Sequence, residues 1–238
     1  MRKQTKIAAV VSAAALLAIG ASMTSFAATG WQEEDGTWVY YNRAGEKVAN
    51  AWEYSGDNRF YLDDAGNMAT DSLIEDNDDY YYVDANGAMV RNRWVAIDNE
   101  EAGEENQPDV WWYYFQANGK AYKNSHTSGN IFKKVINGKT YCFDEDGKMQ
   151  YGWHFDEVDK HWYYLDSTTG VMLTGWQEIN GKWYYFTPET TAYTYEYDAV
   201  NEKWFYKAEN TVRPYGSMYV NETTPDGYRV DANGAWQR

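Results

Sequence analysis

Beyond residue 28, the apolar positions of this chain form short aromatic runs between polar turns, with no long aliphatic stretch. Trp31, Trp52, Leu73 and Trp94 recur at intervals of 21 residues, and Gly45, Gly66 and Gly87 keep the same step. Phe132 to Trp153 is again 21, and Trp153 to Trp176 is 23. Each unit opens on Trp or another apolar residue and turns through Gly or Asn. An aromatic cluster follows, such as Trp38-Val39-Tyr40-Tyr41, Trp112-Tyr113-Tyr114-Phe115, Trp162-Tyr163-Tyr164-Leu165 or Trp183-Tyr184-Tyr185-Phe186. A second turn closes on Gly, as in Ala65-Gly66, Asn86-Gly87 and Asp146-Gly147. Aromatic runs bounded by Asn-Gly or Asp-Gly predict β-hairpins. A lone hairpin is marginal in water, so the units must stack on their neighbours. The predicted fold is all-β, a β-solenoid of stacked aromatic-rich hairpin repeats of about 21 residues.

The array is interrupted. An acidic insertion near 95–110 carries Glu100, Glu101, Glu104 and Glu105, and residues 121–131 break the pattern around His126 and Gly129. Tyr193, Tyr195 and Tyr197 alternate with polar residues ahead of Trp204-Phe205-Tyr206, which reads as a longer hairpin. The expected organisation is a leader over 1–28, hairpin repeats over 29–186, and a longer hairpin with atypical capping repeats over 187–238. Within the leader, Arg2, Lys3 and Lys6 precede the apolar stretch Ile7–Gly20, and Ser25-Phe26-Ala27-Ala28 supplies small residues for cleavage. That stretch is short for a bilayer, so a secretory signal peptide is expected, and a mature chain that is not transmembrane.

Composition narrows the chemistry. With 23 Tyr, 12 Trp and 8 Phe, aromatics replace an aliphatic core, since each ring buries about 150–250 Å². The net charge of −15 excludes a nucleic-acid binder of the basic kind. Removing the leader's three cations leaves 18 basic against 36 acidic residues, or −18. Cys142 is the only cysteine, so no disulfide framework exists.

Thr174-Gly175-Trp176 through Trp183-Tyr184-Tyr185-Phe186 resembles the cell-wall-binding (choline-binding) repeat of Gram-positive bacteria. Thr29-Gly30-Trp31 to Tyr41 and Gly152-Trp153 to Met172 match it too. The Gly-x-Met ending recurs at Gly66-Asn67-Met68, Gly87-Ala88-Met89, Gly147-Lys148-Met149 and Gly170-Val171-Met172. The resemblance implies a solenoid of hairpins that binds choline on teichoic acids between units, while closely similar repeats bind glucan. Aromatic faces hold a quaternary ammonium through cation–π attraction, about 0.5–2 kcal/mol per face. Carried over, the family's cage implies ligand-binding sets of Trp31, Trp38 and Trp52, and of Trp153, Trp162 and Trp176. Trp176 with Trp183 forms a third set without an assigned closing aromatic. Leu73 replaces an opening Trp, Arg59, Tyr80 and Thr140 replace cluster Trp, and Cys142 replaces a cluster Tyr. Units two, three and five are therefore expected to be structural.

No catalytic pattern emerges. His154 and His161 flank a turn, Asp76-Asn77-Asp78-Asp79 and Asp144-Glu145-Asp146-Gly147 lack EF-hand spacing, and no length remains for a catalytic domain. Neither a cofactor nor a metal is expected. The reading is a secreted, non-catalytic protein held noncovalently on the cell wall through choline. Glucan binding, or a structural and adhesive spacer without a small ligand, are the alternatives.

Overall fold

The computed structural model describes residues 29–103, 108–125, 129–188, 195–198, 203–206 and 213–237, with 195–198 and 203–206 given as backbone strands. The leader, Glu104, Glu105, His126 and Tyr193 lie outside the described residues. Sixteen strands are β1 Gly30–Glu34, β2 Thr37–Tyr41, β3 Ala51–Ser55, β4 Asn58–Leu62, β5 Ser72–Asp76, β6 Asp79–Val83, β7 Arg93–Asp98 and β8 Val110–Phe115, then β9 Phe132–Ile136, β10 Lys139–Phe143, β11 Gly152–Asp156, β12 His161–Leu165, β13 Gly175–Ile179, β14 Lys182–Phe186, β15 Tyr195–Asp198 and β16 Lys203–Tyr206. Among the described residues, consecutive strands pair antiparallel into eight separate two-stranded sheets. No helix among the described residues is long and apolar enough to cross a membrane. The chain divides between Tyr122 and Lys123 into two compact units, each a β-solenoid of hairpins.

Turn chemistry sets the hairpins. Asp35 and Gly36 have φ of 51° and 78°, and Asn180 and Gly181 have 51° and 76°. Two consecutive positive φ values define the type I′ turn whose twist matches paired strands, and Asp/Asn-Gly is its preferred sequence. In the second turn an Asp or Asn side chain replaces missing backbone partners. Asp84 Oδ1 accepts N–H bonds from Asn86 at 2.9 Å and Ala88 at 3.1 Å. Asp63, Asp144 and Asp231 repeat this pair of bonds at their own turns. These four aspartates are therefore local turn chemistry.

Stacking begins at the last residue of each second strand. In the first unit Leu62, Val83 and Phe115 are fully buried and bridge to Met68, Met89 and Ala121. In the second unit Phe143, Leu165 and Phe186 bridge to Met149, Met172 and Met218. The same closing segment reaches back one hairpin. Met68 N–H donates to the Trp38 carbonyl at 2.7 Å, and Met89 N–H to that of Arg59 at 2.8 Å. Met172, Met218 and Trp236 donate likewise to Thr140, Trp162 and Trp183, each at 2.8 Å. The methionine then lies under the next unit's glycine: a Cβ on Gly87 would stand 2.8 Å from Met68 Cε, and one on Gly170 2.7 Å from Met149 Cε. The positive φ favours glycine there, and the methionine fills the space that a Cβ would enter, which accounts for the Gly-x-Met period.

Two departures from the expected register follow. Phe132 pairs with Phe143 as Gly30 pairs with Tyr41, so Lys133, not Phe132, holds the opening-Trp position of its hairpin. The segment between Phe186 and Met218 is inserted within a second turn. Phe186 bridges to Met218, 32 residues on, as Leu165 bridges to Met172, seven on. Buried Thr187 and Ser217 seal its base, the Thr187 amide donating to the Ser217 carbonyl at 2.9 Å. β15 and β16 form a hairpin inside this insertion. The acidic insertion joins β7 to β8, anchored where the Asn99 amide donates to the Pro108 carbonyl at 2.8 Å.

Candidate aromatic cage

Trp31, Trp52, Trp153 and Trp176 each pack edge-on against their own hairpin and against a ring of the following segment. Trp31 meets Tyr40 at 5.3 Å and Phe60 at 5.4 Å between centroids. Trp153 meets Tyr164 at 4.9 Å and Tyr184 at 5.0 Å. The structure brings Trp153 and Trp162 together, with centroids 6.3 Å apart and planes at 84°. Trp31 and Trp38 share one hairpin face by register, since Trp31 faces Tyr40 and Trp38 faces Glu33 across the strands.

The wall from the following hairpin is Phe60 for Trp31 and Tyr184 for Trp153. Trp52 instead has its own set, Tyr61 at 5.1 Å and Tyr81 at 5.2 Å. Trp176 likewise heads the next set, against Tyr185 at 5.1 Å. Trp52 and Trp176 thus each head a ring set of their own.

That last set opens on a cavity. Trp176, Trp183, Tyr228, Trp236 and Asp226 line a cavity of about 440 Å³. Tyr228 stands edge-on to Trp176 at 5.8 Å and to Trp236 at 6.2 Å, so it and Trp236 supply the missing closing wall. Trp183 is 43% exposed, its ring presented to the cavity and not spent in the core. The Trp176 indole N–H donates to Asp226 Oδ2 at 2.8 Å, and the Thr224 hydroxyl donates to Oδ1 at 2.5 Å. The bonds from Thr224 and then Trp176 hold the Asp226 carboxyl below the usual carboxylate range. A fixed anion therefore sits at the rim of an aromatic cavity.

Sequence reasoning missed Phe60, Tyr184, Tyr228, Trp236 and Asp226. It also left Trp94 and Trp112 without a role. By register Trp94 faces Tyr114 as Trp31 faces Tyr40, and Trp112 occupies the Trp38 position. The 21-residue step reached Trp94, but the insertion between β7 and β8 obscured its partner.

The other candidate chemistry resolves into structure. His154 Nε2 is bonded to the Tyr151 carbonyl at 2.9 Å, while His161 Nδ1 is bonded to that of Asp159 at 2.6 Å. No group of three or more His, Cys, Asp or Glu placed to hold a metal occurs among the described residues. Burial pushes the Cys142 thiol up to about 12, which disfavours the nucleophilic thiolate.

Three family models match the chain: a choline-binding repeat over residues 133–174, another over 46–88, and a putative cell wall binding repeat over 112–121 and 174–188. No curated protein sequence matches it. Among solved structures, choline binding protein F from Streptococcus pneumoniae, crystallised in the presence of a peptidoglycan analogue, is 29% identical with a TM-score of 0.57. That match covers 89% of this chain and 58% of the other. CbpJ from the same species is 26% identical, TM-score 0.57, covering 88% and 58%. The modular autolysin LytC of that species, 24% identical at TM-score 0.56, covers 88% and 38% and shares the fold. The chain thus spans less than two thirds of the length of these structures. The hairpins within these stretches match choline-binding and cell-wall-binding repeats, so the chain carries repeats of that family.

Proposed function

We propose that this is a secreted, non-catalytic protein that anchors noncovalently to the cell wall by binding choline on teichoic acids in aromatic cages. The observation that carries the reading is the Trp176–Trp183–Tyr228–Trp236 cavity with Asp226 at its rim. Four ring faces attract a quaternary ammonium, and a carboxylate adds Coulomb attraction that a neutral sugar would not use. Trp153 with Trp162, and Trp31 with Trp38, supply further sites, closed by Tyr184 and Phe60. The leader over residues 1–28 supports export.

The test is a titration of the mature protein with choline chloride, followed by Trp fluorescence and thermal midpoint. A ligand that binds only the folded state raises the midpoint by mass action. A saturable shift, unaffected by maltooligosaccharide, is the expected result. No shift at about tens of millimolar choline, a range in which any cage worth roughly 4 kcal/mol would be populated, refutes it. A shift with oligosaccharide alone would move the assignment to glucan.

A further inference from the structure

The cage at the second hairpin already contains a cation. Arg59 holds the register position taken by Trp38, Trp162 and Trp183 in other hairpins, facing Tyr54 across the strands as Trp38 faces Glu33. Its guanidinium carbon lies over the Trp52 ring, 4.8 Å from the centroid, and 5.8 Å from that of Tyr54. Trp52 otherwise resembles Trp176. Its indole N–H donates to a carboxylate, Asp76 Oδ2, at 3.1 Å, and the next hairpin's ring, Tyr81, meets it at 5.2 Å. Arg59 Nε is buried with no hydrogen-bond partner among the described residues. Ring faces therefore account for the placement of the guanidinium better than hydrogen bonding does, as they would for a quaternary ammonium, which has no N–H to donate.

The fifth hairpin repeats the device with a different residue. Lys133, in the opening-Trp position, puts its ammonium 3.5 Å from the centroid of Tyr163. Tyr163 is the ring that an opening Trp would meet, by analogy with Trp153 on Tyr184 and Trp52 on Tyr81. Asp159 at 3.3 Å and Asp156 at 3.8 Å balance the charge.

We infer that Arg59 is a built-in cation that occupies the inter-hairpin cage at Trp52, with Lys133 in the same role on the single ring face of Tyr163, each ordering its junction without ligand and withholding it from external choline. This rests on the choline reading above and limits it, since only part of the array is then open to the wall. A cation on the same chain enters its cage without the loss of translational freedom that a free ligand incurs, so choline at ordinary concentration competes poorly.

The wild-type protein gives the first test. In a choline titration followed by the Trp indole N–H resonances in NMR, the Trp176 signal moves and the Trp52 signal stays in place. Movement at both overturns the inference and leaves the choline reading intact. Movement at no Trp resonance refutes the choline reading, and this inference with it. The second test is calorimetric stoichiometry with choline chloride. Arg59→Ala vacates the face of Trp52 and is expected to add one binding equivalent per chain, whereas Arg59→Lys, which keeps a cation, adds none. Unchanged stoichiometry in a folded Arg59→Ala protein overturns the inference. If that variant does not fold, the wild-type resonances decide alone.

Discussion

Replacing Trp183 with Ala separates ligand binding from folding. Trp183 is 43% exposed and presents its ring to the cavity shared with Trp176, Tyr228, Trp236 and Asp226. Removing one cation–π wall costs about 0.5–2 kcal/mol, or about 2- to 30-fold in Kd. At choline 100 times the wild-type Kd, one site stabilises the fold by about 2.7 kcal/mol. The weakened site returns about 0.9–2.3 kcal/mol at the same concentration. At about 2–4 °C per kcal/mol for a chain of this size, that difference is resolvable by scanning fluorimetry with parallel calorimetry. Trp153 is the contrasting control. It packs on Tyr164, Tyr184, Phe186 and Trp162, so Trp153→Ala should lose about 3–5 kcal/mol of stability before any ligand is added. Equal choline affinity in wild type and Trp183→Ala would refute the assignment of this cavity. So would a Trp183→Ala protein as unstable as Trp153→Ala, because the ring would then be core.

Four further outcomes are expected. Asp226→Asn keeps an oxygen acceptor for the Trp176 indole but removes the charge, so calorimetry should show choline binding weakened several-fold; because its carboxyl is held low by Thr224 and Trp176, wild-type binding should stay level down to about pH 4. Gly66→Ala combines a left-handed φ of 76° with contact at 2.9 Å from the Val48 carbonyl oxygen, whereas Gly36→Ala has a φ of 78° and nothing within 4 Å; urea unfolding should show Gly66→Ala the worse by the overpacking term, about 1–3 kcal/mol. Burial holds His154 below the ordinary histidine value despite its bond to the Tyr151 carbonyl, so the unfolded chain takes up the proton first; stability is full above about pH 6.5 and falls as pH drops below it, and thermal midpoints of His154→Gln should show a shallower fall. Wall pull-down should survive high salt, which screens repulsion between the acidic chain and an anionic polymer but spares contact with ring faces; loss at high salt would count against cages.

What could be read in the chain was whatever is local. Asp35-Gly36 and Asn180-Gly181 form the turns their sequence dictates, and the Gly-x-Met period is visible because each methionine meets a glycine one repeat later. Two kinds of information were not local. Register within a hairpin depends on which residues pair, so a 21-residue spacing marked Phe132 as the opening residue while the pairing gives that place to Lys133. The 21-residue count tracked chain length, and one residue of slip reverses which face a side chain occupies. Cage walls come from the following hairpin, and an insertion displaces them in sequence without displacing them in space. Tyr228 and Trp236 reach Trp176 and Trp183 only because Met218 resumes the ladder that Phe186 left 32 residues earlier. The departures from the repeat then acquire meaning from geometry. As a letter in the pattern, Arg59 marks a spoiled cage. Seated 4.8 Å over Trp52, it is a cage with its cation supplied by the chain, and the same reasoning converts Lys133 from a missing tryptophan into the occupant of Tyr163's face.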